Sequence, residues 1–328
     1  MSFVFRRVAA VLACALSLVA SAVSAQTATA WPERPVRLVV GYPPGGPNDL
    51  IARVMAPKLS ELLGQTVVVE NKGGSNGEIA TAMVAKVAPD GYTVLFASNG
   101  ALTVSPSLGR QLPYDARKDL VAVGQVAINP MLLVVRKDLA AQNVRDLIDL
   151  ARARPGKLNG ASAGSGSVPH LGLELFKAMA RLDILHVPYK GGGPAMADMM
   201  AGQTDIYFGG LATALPQVRS GNLRGLAVTS LARTAIAPEI PTIHESGLPG
   251  DDTSIWYGVL LPLGTPAQIV EKLNAAVVTT TRDPGVRRQL ALNGADPLES
   301  TPAAFAAFIA IDLDKWTRLV REAGIKAE

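Results

Sequence analysis

Glycine and serine are concentrated in Gly160-Ala161-Ser162-Ala163-Gly164-Ser165-Gly166-Ser167. The first five positions have the G-x-S-x-G spacing that puts a serine nucleophile on a sharp strand-to-helix turn. Such a serine needs a strong apolar strand before it and a general base after it. Lys157-Leu158-Asn159 makes a weak strand, and His170, His186 and His244 are the only three histidines that could serve as base. Glycine and serine also continue to Ser167, where Leu171, Leu175 and Phe176 begin a helical spacing. Small residues and hydroxyls at a helix N-terminus present N–H and O–H donors to a carboxylate. Ser167 as a plain N-cap, stabilising its helix by about 1 kcal/mol, is the simpler alternative.

A second stretch with the same chemistry lies near the start. Val36, Leu38, Val39 and Val40 read as a buried strand, and Tyr42-Pro43-Pro44-Gly45-Gly46-Pro47 breaks it. From Asn48 onward, Ile51, Val54, Met55, Leu59 and Leu62 share one helical face. Asn48 is the expected N-cap, and Asp49 sits in the first turn, where the dipole favours a carboxylate. Asp49 and Arg53 form an i,i+4 pair worth about 0.3–0.5 kcal/mol on a helix surface. A carboxylate beside an anion site is otherwise awkward unless it orients the loop amides or meets a cationic group of the ligand. Pro57 is expected to kink this helix.

Other chemistries lack their residues. Gly41 and Gly46 have phosphate-loop spacing, but Pro47 and Asn48 stand where Lys and Ser or Thr are required. The few histidines show no metal-ligand spacing, so neither a metal nor a cofactor is expected. The formal charge of +4 falls to +2 without Arg6 and Arg7, the remaining charges are interspersed and aromatics are 5%, which argues against nucleic acid.

Those two arginines precede the apolar run Val8–Ala20, and Val23-Ser24-Ala25 fits a cleavage site before Gln26. Residues 1–25 thus read as a secretory signal peptide, with an exported mature chain that lacks the single cysteine, Cys14. Apolar residues continue past Cys14, which argues against a lipoprotein signal.

The positioning elements alternate. Thr66–Glu70 reads as a strand, followed by the loop Asn71-Lys72-Gly73-Gly74-Ser75-Asn76-Gly77, a helix over about Ile79–Val87 and the strand Tyr92–Ala97, closed by Ser98-Asn99-Gly100. Farther on, Met131–Val135, His186–Tyr189, Asp205–Phe208, Leu223–Thr229 and Trp256–Leu261 read as strands, with helices marked by Val144, Leu147, Ile148 and Ala151, by Leu171, Leu175 and Phe176, and after Lys190-Gly191-Gly192-Gly193. Pro194 is expected at the first position of one helix, and Thr265-Pro266-Ala267-Gln268 is expected to act as a capping box. Phe305, Phe308, Ile309, Trp316, Leu319 and Val320 mark a last amphipathic helix, bent near Ile311. This alternation specifies an α/β fold with parallel sheet.

Across the mature chain the sequence resembles the periplasmic solute-binding receptors of tripartite tricarboxylate transporters, the Bug or TctC-like family. The matching residues include Tyr42-Pro43-Pro44-Gly45-Gly46 with Asp49 and Arg53, Glu70-Asn71-Lys72, and Pro89-Asp90-Gly91-Tyr92-Thr93. They continue with Ser162–Ser167 and His170-Leu171, His186-Val187-Pro188-Tyr189-Lys190-Gly191, Trp256-Tyr257-Gly258 and Gly264-Thr265-Pro266. The resemblance implies a type II periplasmic binding protein: two α/β domains, residues 31–124 with 251–328 and residues 125–250, with a ligand cleft between them. It implies a non-enzymatic, monomeric receptor that hands a small carboxylate (a di- or tricarboxylate, an aromatic acid or an amino acid) to the transporter's membrane components. The ligand-binding residues it implies are Tyr42, Gly46, Asn48, Asp49, Ser98, Asn99, Ser162, Gly164, Ser165, Gly166 and Ser167. The alternative is a secreted hydrolase using Ser162. Two places depart from the family pattern: Lys72–Glu78, and Gly209-Gly210, where an aspartate often follows the strand.

Overall fold

The computed structural model describes residues 31–189, 191–250, 252–322 and 325. The expected signal peptide, Cys14, Lys190 and Asp251 lie outside these. The chain divides into a short N-terminal unit, Met1–Glu33, and one compact unit, Arg34–Glu328.

Within the compact unit, β1 (Val36–Val40) is next to the edge of a six-stranded sheet. It runs parallel to β2 (Val67–Asn71) and β3 (Thr93–Ser98). The sheet continues from β3 through β10 (Ile255–Pro262) and β4 (Leu120–Asn129) to β11 (Asp296–Pro297), each pair antiparallel. The second sheet has the order β7-β6-β8-β5-β9. Its strands are β5 (Met131–Arg136), β6 (Asn159–Ser162), β7 (Leu185–Pro188), β8 (Ile206–Gly210) and β9 (Leu223–Val228). There β6 is parallel to β7 and β8, whereas β5 is antiparallel to β8 and β9.

The parallel strands carry the functional loops, because each must cross over through a helix before returning to the sheet. After β1 comes α1 (Pro47–Leu63), and after β2 comes α2 (Glu78–Val84). In the second sheet α3 (Val144–Ala153) precedes β6, α4 (Val168–Ala180) follows it, α5 (Gly192–Met200) follows β7, and α6 (Leu211–Arg219) follows β8. The chain finishes through α7 (Ala267–Arg282), α8 (Pro284–Leu292) and α9 (Pro302–Glu322).

Helix α9 belongs to two cores. Its first half sets Phe305 and Ile309 among Val39, Leu95 and Trp256 of the first sheet. Its second half sets Trp316, Leu319 and Val320 among Met131, Phe176 and Phe208 of the second. Between them the buried Asp312 accepts from Trp256 Nε1 at 2.9 Å, Trp316 Nε1 at 3.1 Å and Thr103 Oγ1 at 2.6 Å. One carboxylate thus holds an indole from each core. Each such side chain, fully buried, contributes about 1.5–3 kcal/mol through removal of apolar surface from water. At Gly258 the strand passes so close to this helix that an added Cβ would collide with the Phe305 ring.

Several local expectations shift. The N-cap of α1 is Gly46 rather than Asn48. Pro47 has no N–H and a φ already near the helical value, so it takes the first helical position. Pro57 lies within α1 and Ile311 within α9, and neither ends its helix. No capping box forms at Thr265: its hydroxyl donates to the Pro262 carbonyl at 2.8 Å and Pro266 begins α7 without a side-chain cap. Gly191 is the N-cap of α5, which puts Pro194 third in the helix rather than first. Strand β4 and helices α6 and α8 carry no expectation from the sequence, since none has a clean period of 2 or 3.6.

Candidate functional site

The loop after β1 is held from behind. Gly45, at φ +80, donates its N–H to Asp49 Oδ2 at 2.9 Å. The same carboxylate accepts from Arg53 Nε and from Asn71 Nδ2, each at 2.9 Å, and Asn71 Nδ2 also reaches the Tyr42 carbonyl at 3.0 Å. Burial alone would raise the Asp49 pKa, but hydrogen bonds from Arg53, Gly45 and Asn71 outweigh it and leave the carboxyl below its ordinary value. Asp49 is 2% exposed, so it is no surface ion pair. Its carboxylate orients a loop amide.

Tyr42 ties this loop to the next two. Its hydroxyl lies 2.9 Å from the Asn76 carbonyl and 3.1 Å from Asn76 Oδ1, and accepts from Ser98 Oγ at 3.1 Å. Burial, offset in part by the Ser98 bond and reinforced by Glu78, pushes its pKa up to about 12, so the phenol stays neutral. Ser75 and Asn76 both adopt left-handed backbone, at φ 44 and 53. Asn99 is fully buried and donates Nδ2 to the Ser254 carbonyl at 3.1 Å. Among the described residues, Asn48 Oδ1, Asn99 Oδ1 and Ser254 Oγ are buried without a hydrogen-bond partner.

The glycine- and serine-rich loop joins β6 to α4. Gly164 and Gly166 have φ +126 and +72, conformations that strain any residue with a Cβ. Ser162 Oγ is buried, accepts the Gly164 N–H at 3.1 Å and lies 2.6 Å from His186 Nε2. Ser167 caps α4 as expected, accepting the His170 N–H at 3.4 Å, and its hydroxyl also donates to the Gly164 carbonyl at 2.6 Å. Gly166 donates its N–H to His170 Nδ1 at 3.0 Å.

A cavity of about 240 Å³ lies against this loop. One wall is Ala163–Ser167, and the other is Ser75, Asn76, Ser105, Leu108 and Arg110. Of the residues expected at the site, Gly164, Ser165, Gly166 and Ser167 line this cavity, while Ser162 lies buried beneath them. Tyr42 and Ser98 support Asn76 from behind. Gly46, Asn48, Asp49 and Asn99 do not line this cavity. The sequence reading missed Ser75, Asn76, Ser105 and Arg110. Ser75 and Asn76 were signalled by the glycine run around them. Arg110, paired with Glu78 at 3.0 Å, carries no motif and reaches the wall only through the tertiary fold.

The arrangement offers backbone N–H groups, hydroxyls and one guanidinium to an anion of small size. No group of three or more His, Cys, Asp or Glu able to hold a metal occurs among the described residues. Nor is any described helix long and apolar enough to cross a membrane.

The sequence matches the model of the tripartite tricarboxylate transporter family receptor over residues 51–325. Protein BugT of Bordetella pertussis is 39% identical over 309 residues, 94% of either chain. Among solved structures, R. palustris Rpa4515 with adipate is 37% identical with a TM-score of 0.79, covering 90% of this chain and 99% of that one. MatC of Rhodopseudomonas palustris with bound malate is 32% identical with a TM-score of 0.74, covering 88% and 100%. These neighbours share the two α/β sheets and the placement of helices around them.

Proposed function

Because this chain belongs to the tripartite tricarboxylate transporter family of receptors, we propose that it captures a small carboxylate in the periplasm and delivers it to the membrane components of such a transporter. The observation that carries this reading is the cavity between Ala163–Ser167 and Ser75, Asn76 and Arg110. A carboxylate is an acceptor-only group. Serine hydroxyls, backbone amides and a guanidinium are the donors that suit it.

Roles follow from position. Ser165 meets the carboxylate with its hydroxyl, whereas the Gly166 N–H and the Ser167 hydroxyl do so by exchanging the bonds they make to His170 Nδ1 and the Gly164 carbonyl. Gly46, the N-cap of α1, and Asn48, in its first turn, lie outside this cavity and add donors, where the helix dipole favours negative charge, only once the two domains close on the ligand. Tyr42, Asp49, Ser98 and Asn99 hold these loops in register. Malate and adipate in the related structures fit the same ligand class, which for this chain spans di- and tricarboxylates, aromatic acids and amino acids.

The receptor works as a monomer of two domains, residues 31–124 with 251–328 and residues 125–250, that close on the ligand. Intact-mass measurement on exported protein is expected to show a chain beginning at Gln26 with no acyl group. Scattering is expected to show compaction once ligand is bound.

A hydrolase reading has one observation in its favour, the 2.6 Å contact of Ser162 with His186. Ser162 is nonetheless fully buried, and its hydroxyl is turned into the Gly164 backbone. A nucleophile there would not reach a substrate in the cavity.

A thermal-shift screen against a carboxylate library tests the proposal. A ligand at 100 times its Kd stabilises by about 2.7 kcal/mol. Stabilisation without turnover of p-nitrophenyl esters supports the receptor. Ester turnover that Ser162→Ala abolishes would replace it with the hydrolase, and a library that leaves the melt unmoved would remove carboxylates as the ligand class.

A further inference from the structure

We propose that the stacked His170 and His186 lock the Ser162–Ser167 loop, with His170 neutral, and that a proton taken up at His170 opens the lock. The lock rests on geometry within the loop. Its relevance to ligand capture rests on the function proposed above.

Each ring holds one end of the loop. His186, on β7, places Nε2 2.6 Å from Ser162 Oγ, which in turn accepts the Gly164 N–H. His170, in the first turn of α4, accepts the Gly166 N–H on Nδ1 at 3.0 Å. The two rings stack on each other with centroids 3.9 Å apart and planes 15° from parallel. The loop is thus closed through its own side chains: Ser162, His186, His170, Gly166.

This closure has a protonation requirement. An imidazole nitrogen accepts a hydrogen bond only through its lone pair, so Nδ1 of His170 is unprotonated and its proton sits on Nε2. The imidazolium carries N–H on both nitrogens and would set Nδ1–H against the Gly166 N–H. A ring stacked at 3.9 Å makes a second positive charge costlier still.

Charged groups along α4 bear on His170. Glu174 Oε1, one turn along α4, lies 3.9 Å from His170 Nε2 and favours a proton there. Lys177 pairs with that same Oε1 at 2.7 Å and cancels much of its pull. The N-terminal end of the α4 dipole also disfavours a cation at His170. From β6 the Ser162 hydroxyl faces His186 and can donate to it, or accept from it while donating to the Gly164 carbonyl at 3.2 Å, so the protonation requirement rests on His170.

Histidine is the natural proton switch among side chains, and here the switch acts on a loop amide. When it opens, Gly166, at φ +72, loses the acceptor that fixes its amide. His170 is in this sense a positioning residue: it sets where the loop amides point.

The test uses the ligand-free chain, so it decides the lock even if no carboxylate proves to be the ligand. Histidine 15N shifts would be recorded together with the Gly166 amide shift and its hydrogen exchange between pH 8 and 5.5. We expect His170 to be the Nε2–H tautomer at pH 8. The Gly166 amide should titrate with the same midpoint, and its protection factor should fall roughly two- to tenfold, the loss of one ordinary hydrogen bond.

The decisive variant is His170→Asn. Its Oδ1 stands close to the position of Nδ1 and accepts the same N–H without titrating, so Gly166 protection should persist and be flat with pH. A Gly166 amide indifferent to the imidazole titration would overturn the lock. So would an unaltered pH profile in a folded His170→Asn protein.

Discussion

The carboxylate of Asp312 makes the most quantitative demand on this structure. Replacing it with alanine leaves two buried indole N–H groups, on Trp256 and Trp316, and the Thr103 hydroxyl without their acceptor. Each orphaned buried donor costs about 1–3 kcal/mol. The hydroxyl can rotate toward another acceptor, and Lys315, 2.8 Å from the other carboxylate oxygen and 29% exposed, can turn to water. The two fixed indoles therefore dominate, and the expected loss is about 3–5 kcal/mol, as for breaking a buried charged network. For a chain this size that lowers Tm by roughly 5–8 °C. Urea unfolding followed by tryptophan fluorescence measures it. Asp312→Asn, which keeps an acceptor oxygen, should lose distinctly less. Since Trp256 and Trp316 sit in different cores, the alanine variant should also loosen the coupling between them, seen as two separable transitions. A loss below about 1 kcal/mol for Asp312→Ala would refute the claim that this carboxylate joins the cores.

Other substitutions test other links. Gly258→Ala drives a Cβ into the buried Phe305 ring and should cost about 1–3 kcal/mol in thermal melts, an overpacking effect that Phe305→Leu in the same chain should partly relieve. Asp49→Asn should destabilise by about 1–2 kcal/mol at neutral pH by weakening the hold on Gly45, Arg53 and Asn71. Because the Asp49 pKa is lowered by folding, its contribution is present above the unfolded value near about 3.9 and is lost as pH falls through the lower folded one; chemical denaturation of wild type and variant should therefore converge in strong acid. Ser165→Ala should weaken carboxylate binding roughly tenfold to a hundredfold by calorimetry with little change in melting, whereas Ser167→Ala should also lower stability by about 1 kcal/mol through its lost cap.

Much of this molecule is written locally. The apolar run Val36–Val40, the break at Tyr42–Pro47 and the helical spacing after it specify β1, a turn and α1, because each signal comes from neighbours along the chain. The Ser167 cap and the family membership are equally legible, the second through an ordered series of short motifs. The tertiary structure alone decided what those residues face. Asp49 reads as a surface partner of Arg53, yet Asn71, brought in by β2, turns it into a buried clamp on Gly45. Ser162 reads as a ligand-binding residue, with a nucleophile as the alternative, yet its burial and its place against the Gly164 backbone make it part of the loop's frame. Arg110 and Asn76 enter the cavity, and His170 meets His186, only because separate strands bring them together. Periodicity records which face of an element is apolar. It holds no information on which distant side chain will complete a hydrogen bond, and the binding site is built from such bonds.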